Sequence, residues 1–254
     1  MFREVAYATR PGSARPNEDL VIAGPSWIAV LDGATAPPGV DSGCVHGVAG
    51  LVGRLGGALA AELARDAPDP LAAILERAIE ATAASHADTC DLANPDSPSA
   101  TVAVVRVRER LEYLVLGDSP VVLWLAGGGV RVVYDDRLDR LPGGRPYSLE
   151  LVRRLRNAPG GFWVAAARPE AARESVTGQI ALGDVRGAGV FTDGVARLVD
   201  WYGRRWEDVL DQLAAQGPEA VIAAVRALET ERGPVWGKRH DDATAAWGLL
   251  QDPA

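Results

Sequence analysis

Residues 101–134 read TVAVVRVRERLEYLVLGDSPVVLWLAGGGVRVVY, and this stretch decides the fold class. Thr101 to Val107, Leu111 to Leu116, Val121 to Leu125 and Val130 to Tyr134 are short β-branched and aliphatic runs, each closed by charged or turn-forming residues. The links between them are short, and Gly127, Gly128 and Gly129 form a hairpin turn. Parallel neighbours need a crossover of roughly a dozen residues or more, so these links predict an antiparallel sheet. Upstream, Phe2 to Ala8, Leu20 to Ala23 and Trp27 to Leu31 read as further strands. Val45, Val48, Leu51, Val52, Leu55 and Leu59 recur at helical steps, as do Leu71, Ile74, Leu75, Ala78 and Ile79.

Downstream, Tyr147 to Arg156 reads as a short helix with Ser148 as its N-cap, and Phe162 to Ala166, Ser175 to Leu182 and Gly189 to Thr192 read as strands. Helical patterns follow at Val195 to Tyr202, Trp206 to Ala215 and Pro218 to Glu231, and Ala243 to Leu249 closes as a strand. Grouped strands and grouped helices give an α+β protein with helices outside antiparallel sheets. No repeat or linker divides the sequence, so residues 1–254 are expected to form one domain.

Composition narrows the function. The 254 residues are 48% hydrophobic and 24% charged, which excludes wholesale disorder, and a net charge of −8 excludes a generally basic nucleic-acid binder. No charge-free apolar stretch of about 20 residues occurs, and the opening MFREVAYATRPGS lacks the layout of a secretory signal. A soluble, cytoplasmic protein without membrane contact is expected. Cys44 and Cys90 show no metal-ligand spacing and are read as reduced thiols, neither a disulfide framework nor a zinc site. With only His46, His86 and His240 besides, the chemistry must lean on carboxylates.

Acidic residues stand where strands begin or end. Asn17-Glu18-Asp19 leads into Leu20, Leu31 runs into Asp32-Gly33, Thr192 into Asp193-Gly194, and His240-Asp241-Asp242 opens the last strand. Each Asp-Gly pair alone is equally an ordinary turn. Four such strand ends converging would make an all-oxygen cage for Mg²⁺ or Mn²⁺, with a glycine carbonyl as a further donor.

At these residues the sequence resembles the metal-dependent protein phosphatases of the 2C group. The matching segments are Asn17-Glu18-Asp19, Val30-Leu31-Asp32-Gly33, Ser99-Ala100-Thr101, Gly117-Asp118-Ser119, Thr192-Asp193-Gly194 and Asp241-Asp242-Ala243-Thr244, in family order. The resemblance implies a four-layer α-β-β-α sandwich and a serine/threonine phosphoprotein phosphatase in which two divalent ions, Mn²⁺ or Mg²⁺, activate a water. It implies that Asp32 bridges the ions, Gly33 gives its carbonyl, Asp193 and Asp241 complete the site, Asp19 and Glu18 hold waters, and Asp118 with Asp193 offers a third metal position. Asp32, Asp193 and Asp241 would thus carry catalysis on a phosphorylated protein substrate.

The departures lie on the substrate side. The family's phosphate-binding arginine falls on Ala14, leaving Arg15 and Arg10 as candidates, and Pro120 replaces an arginine after Gly-Asp-Ser. Ala34-Thr35-Ala36-Pro37-Pro38-Gly39 lacks the usual histidine; His46 reads as a residue of the first helix, and His240 as either a site neighbour or a plain strand-edge residue. Asp242 stands for an asparagine, as a ligand or as a hydrogen-bonding group. Residues 137–161 match a flap whose Arg137, Arg140, Arg145, Arg153, Arg154 and Arg156 either steer an acidic partner or form ordinary surface pairs. Trp236 reads as either a cleft wall or a core residue. A weakly active regulatory or binding module on the phosphatase fold, and a hydrolase of small phosphorylated metabolites, are the alternatives to a protein phosphatase.

Overall fold

Period-two alternation builds the centre of the molecule. The computed structural model describes residues 1–34 and 39–250, so Thr35 to Pro38, where the sequence departs from the family pattern, lie outside the described residues. In β3 (Trp27–Ala34), Trp27, Ala29 and Leu31 face one core while Ile28 and Val30 face another. In β4 (Ser99–Val107), Ala100, Val102 and Val104 join the first core, and Ala103, Val105 and Val107 the second. Strands buried on both faces need a layer on each side.

On one side lie α1 (Gly47–Ala64) and α2 (Leu71–Ala84), whose Val52, Leu55, Leu59, Ile74 and Leu75 cover the first core. Among the described residues α1 is the one helix long and apolar enough to cross a membrane, yet it carries Arg54 and Glu62 and packs its apolar stripe on the sheet. On the other side is a second sheet. Beyond it, α4 (Asp193–Asp200), α5 (Trp206–Gln216) and α6 (Pro218–Arg232) bury Leu198, Leu210 and Val225 against its outer face.

The first sheet runs β2 (Asp19–Gly24), β3, β4, β5 (Arg110–Leu116), β8 (Val176–Ala181). The second runs β1 (Glu4–Arg10), β10 (Ala243–Leu249), β9 (Val185–Phe191), β6 (Val121–Leu125), β7 (Val130–Val133). Every pairing is antiparallel, and the architecture is the expected four-layer sandwich. The predicted turn at Gly127–Gly129 joins β6 to β7, with Gly128 and Gly129 at positive φ.

Three local expectations are corrected. Phe162 to Ala166 is not a ladder strand: its β-pairing is limited to the isolated bridges Arg156↔Phe162 and Ala100↔Ala165. β5 ends opposite Val102, which leaves Ala100 a free backbone edge that Ala165 fills with two 2.8 Å hydrogen bonds. Val45 precedes the first helix and is 76% exposed, and His46 caps that helix rather than lying in it. Asp193 begins α4 with Thr192 as its N-cap, so its carboxylate projects from a helix start.

Residues 137–161 contain α3 (Leu149–Leu155), whose N-cap Ser148 accepts the Leu151 N–H at 3.2 Å as expected. Tyr147, Leu151 and Val152 pack there on Leu141, Phe162 and Val164 as a separate small core. Replacing the almost fully buried Leu59 with alanine removes a contact shared by α1 and the first sheet, and urea unfolding should show a loss of about 2–5 kcal/mol without change of fold.

Candidate functional site

Strand register brings the first acids together. Asp19 stands opposite Asp32 across the β2–β3 pair, and Asp32 stands opposite Thr101 across β3–β4. Asp32 shares the parity of Ile28 and Val30, so it points between the two sheets at the end where the apolar core stops. From the other sheet, Thr192 and Thr244 each donate a hydroxyl to Asp19 Oδ2 at 2.8 Å. Asp19 Oδ1 is buried and has no hydrogen-bonding partner among the described residues.

Asp193 and Asp118 approach from the α4 start and the β5–β6 turn. A Cβ on Gly194 would lie 1.9 Å from the Asp242 carbonyl oxygen, so only glycine lets the α4 start sit this close to the Asp241-Asp242 backbone. Asp118 follows Gly117, whose φ of +84° makes the tight turn, and the Gly117 N–H is held by Asp135 at 3.3 Å. Asp241 reaches the same end but is held by cations: Arg197 donates to one oxygen at 2.7 Å, Lys238 to the other at 2.9 Å. Arg197 is itself buried between Asp241 and the fully buried Glu229, under the Trp201 ring.

Burial and mutual repulsion make this cluster hold protons. Burial, opposed by its two threonine bonds, pushes Asp19 up to about 7. Burial and the charges of Asp118 and Asp241 push Asp193 up to about 7, against a hydrogen bond with Asp32 that lowers it. Burial, then Asp193, Asp19, Asp118 and Asp241, raise Asp32 well above the usual range. Burial also raises Asp118, although Arg145 opposes it. An all-oxygen donor set with an unpartnered buried oxygen, crowded by like charge, fits hard divalent cations such as Mg²⁺ and Mn²⁺.

The other expected residues fall into two groups. Gly33 is at the site: its N–H donates to the Glu18 carbonyl at 3.1 Å, and a Cβ there would strike Val48. Asp242 is a hydrogen-bonding anchor, with one oxygen on the Gly12 N–H and the other on the Glu18 N–H, both at 2.7 Å. His240 turns its Nδ1 to Glu229 at 2.7 Å. Arg10 pairs with Glu219 of α6 on the surface, and Arg15 is exposed on the loop before Glu18; neither lines the acidic cavity.

Among the described residues two cations line the acidic cavity: Arg197, paired with Glu229 and Asp241, and, at the junction with the next cavity, Arg145. Its Nη2 donates to Asp118 at 3.2 Å and Asp139 at 2.8 Å, and its guanidinium lies 4.8 Å from the centre of the Trp236 ring. Arg145, Trp236 and Asp118 separate two adjoining cavities of about 350 Å³ each, one acidic and one mostly apolar beneath α3. Trp236 is therefore a cleft wall, edge-on to Trp201. The remaining flap arginines do not form a free basic patch: Arg137 pairs with Asp135, Arg140 with Asp136 and Arg153 with Asp96, while Arg156 donates to backbone carbonyls. Arg154 alone of the six is exposed without a partner among the described residues.

Cys44 and Cys90 are free thiols, as read from the sequence, but they do not stand apart. Cys44 and Cys90 meet as bridge partners beside His46 and His86, with candidate ligand atoms of all four within 4.8 Å of one another. The spacing was unreadable because the pairs are separated by both helices of the α1–α2 hairpin.

The protein phosphatase 2C family model matches residues 15–229. The serine/threonine phosphatase PstP/Ppp of Mycobacterium tuberculosis shares the fold over 98% of both chains, with 18% identity and a TM-score of 0.60. The catalytic domain of PstP in complex with two manganese ions matches over 98% of both chains at 20% identity and a TM-score of 0.57. Phosphatase Stp1 of Staphylococcus aureus is 13% identical, with 99% of this chain and 96% of that one covered and a TM-score of 0.62. No curated protein sequence matches the chain.

The raised carboxyls set a pH dependence. Asp19 and Asp193 titrate near 7 when folded and near 3.8 when unfolded, so the folded, chelated chain binds more protons between these values. Their contribution to stability is present below the lower value and lost as pH rises through 7. Melting of chelated protein from about pH 5 to about pH 8 should therefore show the wild type falling relative to Asp193→Asn, whereas parallel profiles would contradict the coupling.

Proposed function

The chain belongs to the protein phosphatase 2C family, and on that premise we propose that it is a metal-dependent phosphomonoester hydrolase acting on phosphoserine or phosphothreonine in proteins. The observation that carries the proposal is the aspartate cluster at one end of the sandwich, crowded enough to retain protons and with Asp19 Oδ1 unpartnered. Asp32, Asp193, Asp241 and the Gly33 carbonyl would hold two divalent ions, Mn²⁺ or Mg²⁺. Glu18 and Asp19 would order the surroundings, and Asp118 would offer a third position. The ions would supply a water made nucleophilic near neutral pH and positive charge for the phosphoryl oxygens.

The chain's own groups handle the rest. Asp19, tied to Thr192 and Thr244, holds the two sheets at the separation that lets Asp32 and Asp193 share one space. Arg145 takes the phosphate-binding role expected of Arg15 or Arg10. Among the described residues only its Nη2 is engaged, and Arg145 lines both cavities, so further guanidinium N–H groups would be left for a phosphate oxygen. The apolar cavity beside it, walled by Tyr147, Val152, Phe162 and Trp236, would take the residues flanking the phosphorylated side chain.

One observation favours a second reading, a binding module of low turnover: both oxygens of Asp241 are already in ion pairs with Arg197 and Lys238. Hydrolysis of para-nitrophenyl phosphate and of a phosphothreonine peptide, with Mn²⁺, with Mg²⁺ and with chelator, separates the two. Metal-dependent turnover that falls by roughly two orders of magnitude or more in Asp32→Asn or Asp193→Asn is expected. Metal binding without turnover would leave the binding module. Arg145→Ala should raise KM for the peptide, with Arg145→Lys recovering only part of it, while a KM unchanged in both variants would remove Arg145 from phosphate binding.

A further inference from the structure

We propose that Cys44, His46, His86 and Cys90 form a closed zinc site that clamps the open end of the α1–α2 helical hairpin, separate from the aspartate cluster. Cys44 Sγ and Cys90 Sγ are 3.2 Å apart and unbonded, His46 Nδ1 is 3.3 Å from Cys90 Sγ and 3.9 Å from Cys44 Sγ. A ring nitrogen of His86 completes a set whose members all lie within 4.8 Å of one another. Zinc–sulfur bonds of about 2.3 Å and zinc–nitrogen bonds of about 2.0–2.1 Å give tetrahedral edges of about 3.3–3.8 Å, close to this spacing.

Local structure aims the four groups. Cys44 sits at an isolated β-bridge with Cys90, and a turn through Val45 brings His46 to the N-cap of α1. His86 and Cys90 are one helical turn apart just beyond α2, as the Cys90 N–H bond to the His86 carbonyl at 3.0 Å shows. The two segments are also joined by the Asp91 N–H to the Gly43 carbonyl at 2.9 Å and by Asn94 to the Asp41 carbonyl at 3.1 Å.

An independent observation points to a missing ligand. His86 is 6% exposed, yet its Nδ1 is buried and has no hydrogen-bonding partner among the described residues. A buried polar nitrogen without a partner is costly unless something coordinates or bonds it. Two thiols and two imidazoles are a soft, tetrahedral donor set, which selects zinc over the hard ions suited to the aspartates. Four protein ligands leave no open position, so the metal's role is structural. It would fix the segment that follows Asp32-Gly33 to the segment that precedes Ser99, both of which feed strands of the aspartate site.

The test is metal content of the full chain, purified reducing and without chelator, by inductively coupled plasma mass spectrometry. We expect one equivalent of zinc, lost in Cys44→Ser/Cys90→Ser and kept in Asp32→Asn/Asp193→Asn. In the wild type, a mercurial should release that zinc in step with thiol titration, which covers a double variant that fails to fold. Cobalt loaded in its place should give thiolate charge-transfer and tetrahedral ligand-field bands. Two free thiols without zinc, a Cys44–Cys90 disulfide in the native protein, or zinc that persists in the folded cysteine variant would each overturn the site. None of these outcomes depends on phosphatase activity.

Discussion

Like charge crowded into a desolvated space is the constraint on which this molecule turns. Burial raises the proton affinity of Asp19, Asp32, Asp118 and Asp193, and the charges of neighbouring aspartates add to it. A chain could relieve that repulsion by letting the sheets splay at this end. Instead Asp19 is bonded to hydroxyls from both β10 and the α4 cap, so the sheet carrying Asp32 is held to the sheet leading to Asp193 by a shared carboxylate oxygen. The same oxygen pair explains the polarity of the site: Oδ2 satisfies the fold, and Oδ1 is left over for whatever neutralises the cluster.

A second tier of charge holds the first in place. Glu229, fully buried on α6, gathers Arg197, Arg226 and His240, and Arg197 extends the network to Asp241. Breaking such a network from one side leaves a buried charge unpaired, which is why its members behave as a unit. Asp242 performs the matching task for the N-terminal loop by accepting the backbone N–H groups of Gly12 and Glu18. The neighbouring acids Asp241 and Asp242 therefore do different work, one turned to cations and one to backbone.

The strands and the acids at their ends were legible because each depends on local sequence, whereas the four layers and the acids' roles were implied by the family resemblance. Alternation gave β3 and β4 their two faces, short links gave antiparallel pairing, and an acid at a strand end keeps the parity of its strand. Arg145 was visible only as one charge among six; what singles it out is the stack on Trp236 and the contact with Asp118, both of long sequence separation. Arg10 is the converse case: it is near Asp19 in sequence, but it is paired with Glu219 on α6. The Cys44, His46, His86 and Cys90 cluster was illegible because the helices between its halves have to fold back on each other before the four meet.

These differences follow one physical division. Groups fixed by strand register move only if a whole ladder moves, so Asp19 and Asp32 occupy the places that the order of the strands dictates, while Asp118 and Asp193 come to them from a turn and a helix start. A cation that meets an incoming phosphate needs only to reach the cavity, and any loop over that end can supply it. Here the N-terminal loop carries Ala14 at the expected place, and the segment between β7 and β8 brings Arg145 over the cavity instead, backed by Trp236 and held by Asp118 and Asp139. Because Arg145 bonds an aspartate of the cluster directly, a phosphate oxygen that engages it also changes the charge felt by Asp118. On the proposed reading, substrate binding and the electrostatics of the acidic site would be joined through one guanidinium.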